Sequence, residues 1–447
     1  MAVMASAHPP PVSHPEVTSP ETTTPSRVAL PSSLSGGHLR ARSRSDLEQY
    51  RAEVLLELTE NILPFSVRFV VDREHGGFHT HKGNDTTVQE GAPKALVQHS
   101  RMLWIFARAA RSLGDHECAD RAARAKEEMS AWFRDSEHGG YYWMVEYQGQ
   151  PLYTDKFTYG QAFALYGLAE YHLASDDAGS VDDAIRLFHL IEGRCSDPED
   201  GGYWEALRRD WTPAADLWVD DTTFPVAKSM NTHLHLLEAY THLLRTWDSD
   251  ELRDRLLGLT RILLDRIVQP NSHQMALYFD RTWRPLSDRV SYGHDIEASW
   301  LLVEAANVLG DGCLQAEVRE VALQMAYAVL ERGVDGDGGL WDEGDPTGAV
   351  RQSKTWWPQA EAMVGFLNAY QLSGNRCFLQ ASLAAWHFVR THLVDKELGD
   401  WFWSVDRAGR PSNRGKAGPW KAAYHNGRAC IEVMERIQGL LDQAVAA

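Results

Sequence analysis

The stretch HGGYYWMVEYQGQPL, residues 138–152, has five relatives elsewhere in the chain. They begin near residues 75, 200, 275, 337 and 399, so successive copies lie 63, 62, 75, 62 and 62 residues apart. Alternating aromatic residues followed by a turn predict a short β-hairpin in each copy. A near-constant period repeated six times indicates one architecture of repeated units.

Paired helical patterns fill the intervals between these hairpins. The predicted pairs are 94–113 with 117–134, 157–175 with 180–193, 228–247 with 250–268, 293–309 with 314–332, and 354–373 with 377–392. A first helix from Asp46 and a last helix at 419–440 bring the total to twelve. The helix after each hairpin is apolar on all sides, whereas its partner carries more charged residues.

These patterns predict an all-α fold. We expect an (α/α)6 barrel of twelve helices in two concentric rings, with short β-hairpins over its mouth. An open helical solenoid is the alternative, but six units with a near-constant period favour closure. Residues 1–45 are rich in Pro, Ser and Thr without apolar periodicity, so we predict a disordered tail before one domain at 46–447.

Composition restricts the class of protein. The net charge of −18 argues against nucleic acid and anionic membranes as partners. Five scattered cysteines without a CxxC pair predict neither a zinc knuckle nor a disulfide framework. No apolar run reaches the ~20 residues that span a bilayer, and the N-terminal stretch lacks the apolar core of a signal peptide. We expect a cytoplasmic monomer or weak homodimer.

Residues 291–302, SYGHDIEASWLL, place ionisable groups at the start of an apolar helix. His294 and Glu297 share one face of its first turn, where a carboxylate can orient an imidazole or share in a proton transfer. A simple capping cluster is the alternative. Similar clusters at the starts of other inner helices favour function, because a barrel directs these starts to one mouth. They comprise Arg101, Lys156, Tyr159, Asn231, His233, His235, Trp356, Trp357, Glu361, Trp420 and His425.

Spacing separates the two histidines of one helix. Asn231, His235 and Glu238 share a helical face that excludes His233, so we favour His235 as the functional residue. Three histidines and a carboxylate are also a set that can bind zinc. Because no HExxH or comparable local ligand pair is present, we favour metal-free acid–base chemistry on a neutral polyol.

Four motifs carry a family resemblance: NTHLHLLEAY, GHDIEASWLL, TWWPQAEAMVGF and GPWKAAYHNGR. Over residues 47–440 the chain resembles the N-acylglucosamine 2-epimerase superfamily, most closely its cellobiose 2-epimerase branch. The resemblance implies an (α/α)6 barrel and reversible epimerisation at C2 of the reducing-end glucose of β-1,4-linked disaccharides such as cellobiose and lactose. It also implies that no dissociable cofactor is needed.

The resemblance also implies a role for each site residue. His294 and His425 are similar to an acid/base pair, supported by His235 and Glu297. Arg101 corresponds to a cation near the enediolate oxygen. The implied substrate-binding residues are Asn231, Tyr159, Trp357, Trp420 and Glu361, and the motif leaves open whether Trp356 or Trp357 faces the sugar.

The residues fit this chemistry independently of the resemblance. A C2 proton beside an aldehyde is weakly acidic, so its removal needs a base at contact distance and a positive donor at the developing enediolate oxygen. Inversion needs proton delivery to the opposite face, which two imidazoles on opposite walls can provide.

Four other functions compete with disaccharide epimerisation. A glycoside hydrolase would use two carboxylates, for which Glu297 and Glu361 are candidates. N-acylglucosamine 2-epimerase and mannose isomerase activities are alternatives within the superfamily. A non-catalytic sugar-binding scaffold would leave the mouth histidines without a role.

Deletion of residues 1–40 is expected to leave activity and thermal stability nearly unchanged, because a segment without apolar periodicity contributes little to a packed core. Melting curves of the full and truncated chains measure this directly. A loss of several degrees in melting temperature would mean that the segment docks on the domain.

Overall fold

The computed structural model describes residues 44–214, 225–351 and 353–446. The predicted tail, residues 1–45, lies outside this part of the chain except for Arg44 and Ser45, which begin the first helix. Among the described residues, none of the helices is both long and apolar enough to cross a bilayer. All five cysteines lie within these ranges, and each is a free thiol.

Twelve long helices occupy the described residues, in the alternation that the sequence predicts. The outer helices are α1 (Arg44–Leu56), α3 (His116–Glu128), α5 (Ala178–Arg194), α7 (Asp250–Ile262), α9 (Gly312–Arg332) and α11 (Arg376–Phe388). The inner helices are α2 (Leu96–Leu113), α4 (Thr158–Ser175), α6 (Met230–Leu244), α8 (Tyr292–Leu309), α10 (Trp356–Ser373) and α12 (Tyr424–Ala446). Wider π-type turns prolong four outer helices at Glu57–Ile62 and Ser66–Val70, Met129–Phe133, Leu263–Ile267 and Val389–Leu393, with an α-turn at Leu63–Phe65.

Each inner helix packs against the next one, and α12 returns to α2, so the inner ring is closed. Each inner helix also packs against an outer helix, and α1 covers α12. In α4 every residue from Thr158 to Glu170 is buried, as expected for a helix with neighbours on all sides. The predicted (α/α)6 barrel is therefore confirmed, and the solenoid alternative is wrong.

Short antiparallel strands join the repeats at the end of the barrel where the inner helices begin. They are β1 (Lys94–Ala95), β2 (Met144–Val145), β3 (Pro151–Tyr153), β4 (Lys156–Phe157), β5 (Ala206–Leu207), β6 (Lys228–Ser229), β7 (Tyr278–Phe279), β8 (Val290–Ser291), β9 (Glu343–Asp345), β10 (Gly348–Arg351), β11 (Lys354–Thr355) and β12 (Ser404–Val405). Pairs β2–β3 and β9–β10 are local hairpins.

The other strand pairs link neighbouring repeats. Pairs β1–β2, β4–β5, β6–β7, β8–β9 and β11–β12 each connect the strand before one inner helix to the next hairpin along the chain. A bridge between Lys82 and Ala417 joins the first repeat to the last. Two-residue strands are too short to be stable as isolated hairpins, so each is supported by the neighbouring repeat.

A buried ion pair recurs in five of the six repeats. A lysine that precedes an inner helix contacts an aspartate at the end of the preceding outer helix, and each of these lysines is at most 2% exposed. The pairs are Lys94–Asp72, Lys156–Asp135, Lys228–Asp197, Lys354–Asp335 and Lys416–Asp395. The corresponding residues of the fourth repeat are Val290 and Gln269. Lys156, which the sequence places at the mouth, therefore belongs to this structural set.

Replacement of Lys94 by methionine is expected to destabilise the fold by about 3 kcal/mol, because it leaves the buried carboxylate of Asp72 without its cation. Asp72 also accepts backbone hydrogen bonds from Glu74 and His75 through Oδ1. The double variant Lys94→Met/Asp72→Asn keeps that acceptor without the charge, so it is expected to recover part of the loss. Urea unfolding measures both, and a single variant as stable as the parent would contradict the role of the pair.

Candidate active site

Three histidines converge where the inner helices begin. His235 lies on α6, His294 on α8 and His425 on α12. The indole of Trp357, on α10, lies between two of them, with ring centroids 4.5 Å from His294 and 5.6 Å from His425. The phenol ring of Tyr159, on α4, lies 5.1 Å from the His235 ring. The structure thus brings together side chains that are up to 266 residues apart in the sequence, from Tyr159 to His425.

The ring of His294 contacts a serine. Its Nδ1 lies 2.8 Å from Oγ of Ser291, three residues earlier. Glu297, expected to orient this ring, instead accepts a hydrogen bond at 2.5 Å from Arg428. Direct orientation of His294 by Glu297 was therefore wrong, because a shared helical face does not fix a contact when a facing helix offers a cation. A supporting role for Glu297 stays a prediction.

The other two histidines each contact a carboxylate. Nδ1 of His235 lies 2.8 Å from Glu238, one turn later on the same helix. Nδ1 of His425 lies 2.7 Å from Glu361, which comes from α10. A carboxylate on Nδ1 leaves Nε2 as the nitrogen that can exchange a proton with a substrate.

Arg428 connects the carboxylates beneath these histidines. Its side chain is 1% exposed and donates hydrogen bonds to Glu238, Glu297 and Glu361. It also lies 4.9 Å from the Trp300 ring centroid, and Trp300 donates a hydrogen bond to Glu361 at 3.1 Å. Sequence reasoning missed Arg428, although its position three residues after His425 on one helix was a usable signal.

Burial and Arg428 set the ionisation of the three carboxyl groups. Burial opposes ionisation of Glu238, but Arg428 and His235 outweigh it and lower the pKa to about 2. Burial raises the pKa of Glu361, against the opposing effect of Arg428. Burial and the neighbouring Glu361 raise the pKa of Glu297 well above its usual value. One cation therefore keeps Glu238 ionised, and Glu297 is the carboxyl group most disposed to hold a proton.

Burial also favours the neutral form of each imidazole. Desolvation lowers the pKa of His294 to about 3, and His235, His425 and Arg101 add to this effect. Desolvation lowers the pKa of His425 well below its usual value. It lowers that of His235 as well, although Glu238 opposes the change. A neutral imidazole has a free lone pair, so each ring can accept a proton.

The guanidinium of Arg101, on α2, lies at one side of the three histidines. It donates to the hydroxyl of Tyr159 at 2.8 Å and to the backbone carbonyl of Trp420. Its carbon Cζ lies 4.5 Å from the ring centroid of Phe163. Its Nε is buried and makes no hydrogen bond to any described residue. The cation that the resemblance implies is therefore part of the histidine group.

The adjacent residues Trp356 and Trp357 have different surroundings. Trp357 faces the histidines, whereas Trp356 is 3% exposed and packs against Trp403 at 4.5 Å. Gly293 permits the approach of Trp357, because a Cβ at that position would lie 2.5 Å from its ring. Of the two, Trp357 is the residue beside the histidines, and its contact with a sugar stays a prediction.

Trp420 lies in a loop and not at a helix start. Helix α12 begins at Tyr424 instead of residue 419, so Trp420 precedes it and is 37% exposed. Its ring lies 5.7 Å from Tyr159 and 5.6 Å from Trp143. Trp143, from the second hairpin, is an aromatic neighbour that sequence reasoning did not single out.

Two predicted residues remain, His233 and Asn231, and they differ in their hydrogen bonds. His233 is fully buried, and its Nε2 accepts a hydrogen bond from the backbone of Tyr203 at 3.0 Å, so its role is structural, as its spacing indicated. Asn231 is half-buried near the start of α6, and its Oδ1 makes no hydrogen bond to the described part of the chain. A buried acceptor without a protein partner suits a polar ligand.

One set of side chains has the spacing of a metal site. Ligand atoms of Glu297, Glu361 and His425 lie within 4.8 Å of one another. Arg428 donates to both of these glutamates from a single nitrogen, Nη2. The guanidinium thus already supplies a positive charge at the place where a metal would bind.

Comparison with known proteins agrees with this geometry. The family model for N-acylglucosamine 2-epimerase matches residues 76–429. A cellobiose 2-epimerase of Bacteroides fragilis is 42% identical over 87% of this chain and 99% of its own length. The solved structure of cellobiose 2-epimerase from Bacillus thermoamylovorans is 35% identical with a TM-score of 0.84, covering 87% of this chain and all of that one.

A second solved structure gives the same result. Cellobiose 2-epimerase from Spirochaeta thermophila is 40% identical with a TM-score of 0.82, over 89% of this chain and 99% of that one. The resemblance read from the four motifs is thus confirmed, together with the fold. This chain belongs to the N-acylglucosamine 2-epimerase family and is a carbohydrate epimerase.

Proposed function

We propose that this protein catalyses reversible epimerisation at C2 of the reducing-end glucose of β-1,4-linked disaccharides. Cellobiose would become glucosyl-mannose, and lactose would become epilactose. The observation that carries the proposal is the pair His294 and His425, which approach the Trp357 ring from two different helices. The names of the relatives support a disaccharide over a monosaccharide as substrate.

Proton transfer would begin on the open-chain sugar. One imidazole takes the C2 proton through Nε2, and the electrons of the C–H bond form the enediolate, whose oxygen charge is near Arg101. The other imidazole, protonated at the start, gives its Nε2 proton to the opposite face of C2. One proton is therefore shared by two histidines, and their roles exchange in the reverse reaction.

His425 has a carboxyl partner on a neighbouring inner helix. Its Nδ1 contacts the carboxyl group of Glu361 at 2.7 Å, which stabilises the imidazolium formed when Nε2 takes a proton. His235 and Glu238 form a similar pair beside Tyr159. We assign His235 to assisting ring opening or holding a sugar hydroxyl, together with Tyr159 and Asn231. Trp357 and Trp420 present aromatic faces on which sugar rings can stack.

The position of the carboxylates argues against glycoside hydrolysis. A hydrolase needs two carboxyl groups that flank an open space of about 5–9 Å for the scissile bond and water. Glu297 and Glu361 are each 0% exposed, and both accept from the same nitrogen of Arg428. Groups held on one guanidinium do not flank a substrate.

Incubation with cellobiose and separation of the products tests the proposal. Glucosyl-mannose means epimerisation, glucose means hydrolysis, and unchanged cellobiose means a binding scaffold. N-acetylglucosamine and mannose offered in parallel test the two related activities of the family.

We also propose a cytoplasmic location, which the five free thiols support.

Replacement of either histidine, His294→Ala or His425→Ala, is expected to lower the rate of epimerisation by ~10²-fold or more, the usual effect of a positioned acid–base group. Epimerisation in D2O is expected to place deuterium at C2. A variant that exchanges deuterium into unepimerised sugar without forming epimer would show which face its remaining histidine serves. Near-parental epimerisation by either variant would reject the two-histidine assignment.

Exhaustive treatment with EDTA is expected to leave the activity unchanged, because Arg428 supplies positive charge where the carboxylates meet. Activity before and after chelation, with samples given back single divalent ions, is the measurement. A loss restored by one ion would reassign Glu297, Glu361 and His425 as ligands.

A further inference from the structure

The three site histidines differ in what contacts Nδ1. His235 and His425 have carboxyl partners, whereas His294 has the hydroxyl of Ser291 at 2.8 Å. Building on the proposed function, we propose that Ser291 is a positioning residue, which holds the His294 ring in its reactive orientation in both its neutral and protonated states. Ser291 does not touch the reacting atoms in this assignment.

Helix capping alone does not explain the position of this hydroxyl. Ser291 is the N-cap of α8, but its Oγ lies 3.5 Å from the His294 backbone nitrogen, against 2.8 Å from the ring nitrogen. Ser229 is the matching residue before α6. Its Oγ lies 3.1 Å from the Thr232 backbone nitrogen and 2.6 Å from Glu205. The hydroxyl of Ser291 is therefore turned towards the imidazole at the expense of the backbone.

Two contacts together fix the His294 ring. Ser291 holds one edge through Nδ1, and Trp357 covers the ring at 4.5 Å. Gly293 leaves room for that indole, since a Cβ there would lie 2.5 Å from it. With Nδ1 engaged, Nε2 is the nitrogen available to C2. A ring free to rotate would lose the orientation on which proton transfer depends.

A hydroxyl suits a group that gains and loses a proton. An imidazolium has a hydrogen on both nitrogens, so its Nδ1 donates and the hydroxyl accepts. In the neutral ring the hydroxyl can donate or accept, and the contact persists. A carboxylate only accepts and favours the charged ring. The groups facing His294 from other helices are His235, His425 and Arg101. All three lower the pKa of His294, so they oppose a positive charge on its ring.

Three substitutions separate positioning from capping. Ser291→Thr keeps both the hydroxyl and the cap, Ser291→Ala removes both, and Ser291→Asp keeps the cap while placing an anion on Nδ1. Ser291→Thr is expected to retain most of kcat, and Ser291→Ala to lose about tenfold in kcat with KM nearly unchanged. Ser291→Asp is expected to keep its melting temperature while the pH profile of kcat moves up by about one unit.

Ser229→Ala is the matched control for loss of a serine cap. It is expected to lower the melting temperature as Ser291→Ala does, without moving the pH profile. A purely structural role for Ser291 predicts that Ser291→Asp and Ser291→Thr both restore the parental rate and pH profile. That result, or a parental kcat in Ser291→Ala, would overturn the proposal.

A second measurement does not depend on the substrate. Titration of ¹⁵N-labelled histidines by NMR, with His294→Gln to identify the signal, reports the protonation of the His294 ring in each variant. The ring is expected to become protonated at higher pH in Ser291→Asp than in the parent. An unchanged titration in Ser291→Asp would reject the contact, whether or not cellobiose is the substrate. Failure of the parent to epimerise cellobiose would instead reject only the proposed function.

Discussion

The ion cluster around Arg428 is the interaction on which the site depends. A guanidinium that is 1% exposed donates to Glu238, Glu297 and Glu361, which come from three different inner helices. Buried carboxyl groups without a cation are costly, so this single side chain makes the arrangement possible. Because Glu238 and Glu361 in turn contact His235 and His425, the cation also sets the positions of two imidazoles.

A rigid frame is needed to hold such a cluster, and the repeats supply it. Five lysine–aspartate pairs tie five of the six inner helices to the preceding outer helix, and strand pairs link neighbouring repeats. The bridge from Lys82 to Ala417 closes the circle. Closure matters because the site residues lie on six different helices, and an opening between any two of them would separate the histidines.

Burial gives the site its chemistry. The same low-dielectric surroundings that raise the pKa of Glu297 lower those of His294 and His425. Neutral imidazoles are competent bases, and a carboxyl or hydroxyl group on Nδ1 leaves Nε2 as the nitrogen that can exchange a proton. The two histidines of the proposed pair differ in this partner, which is Glu361 for His425 and Ser291 for His294.

The sequence by itself determined the barrel, because an apolar pattern with a near-constant period is buried by repeated neighbours. It also predicted which helices are inner and that His235, His294 and His425 meet, since helix starts in a closed ring face one mouth. It did not reveal that Ser291, not Glu297, contacts His294, or that Arg428 lies at the centre. Spacing along a helix fixes only the face on which a residue lies. Its partner is decided by the side chains that other helices bring to that face, and these distances exist only in the tertiary structure.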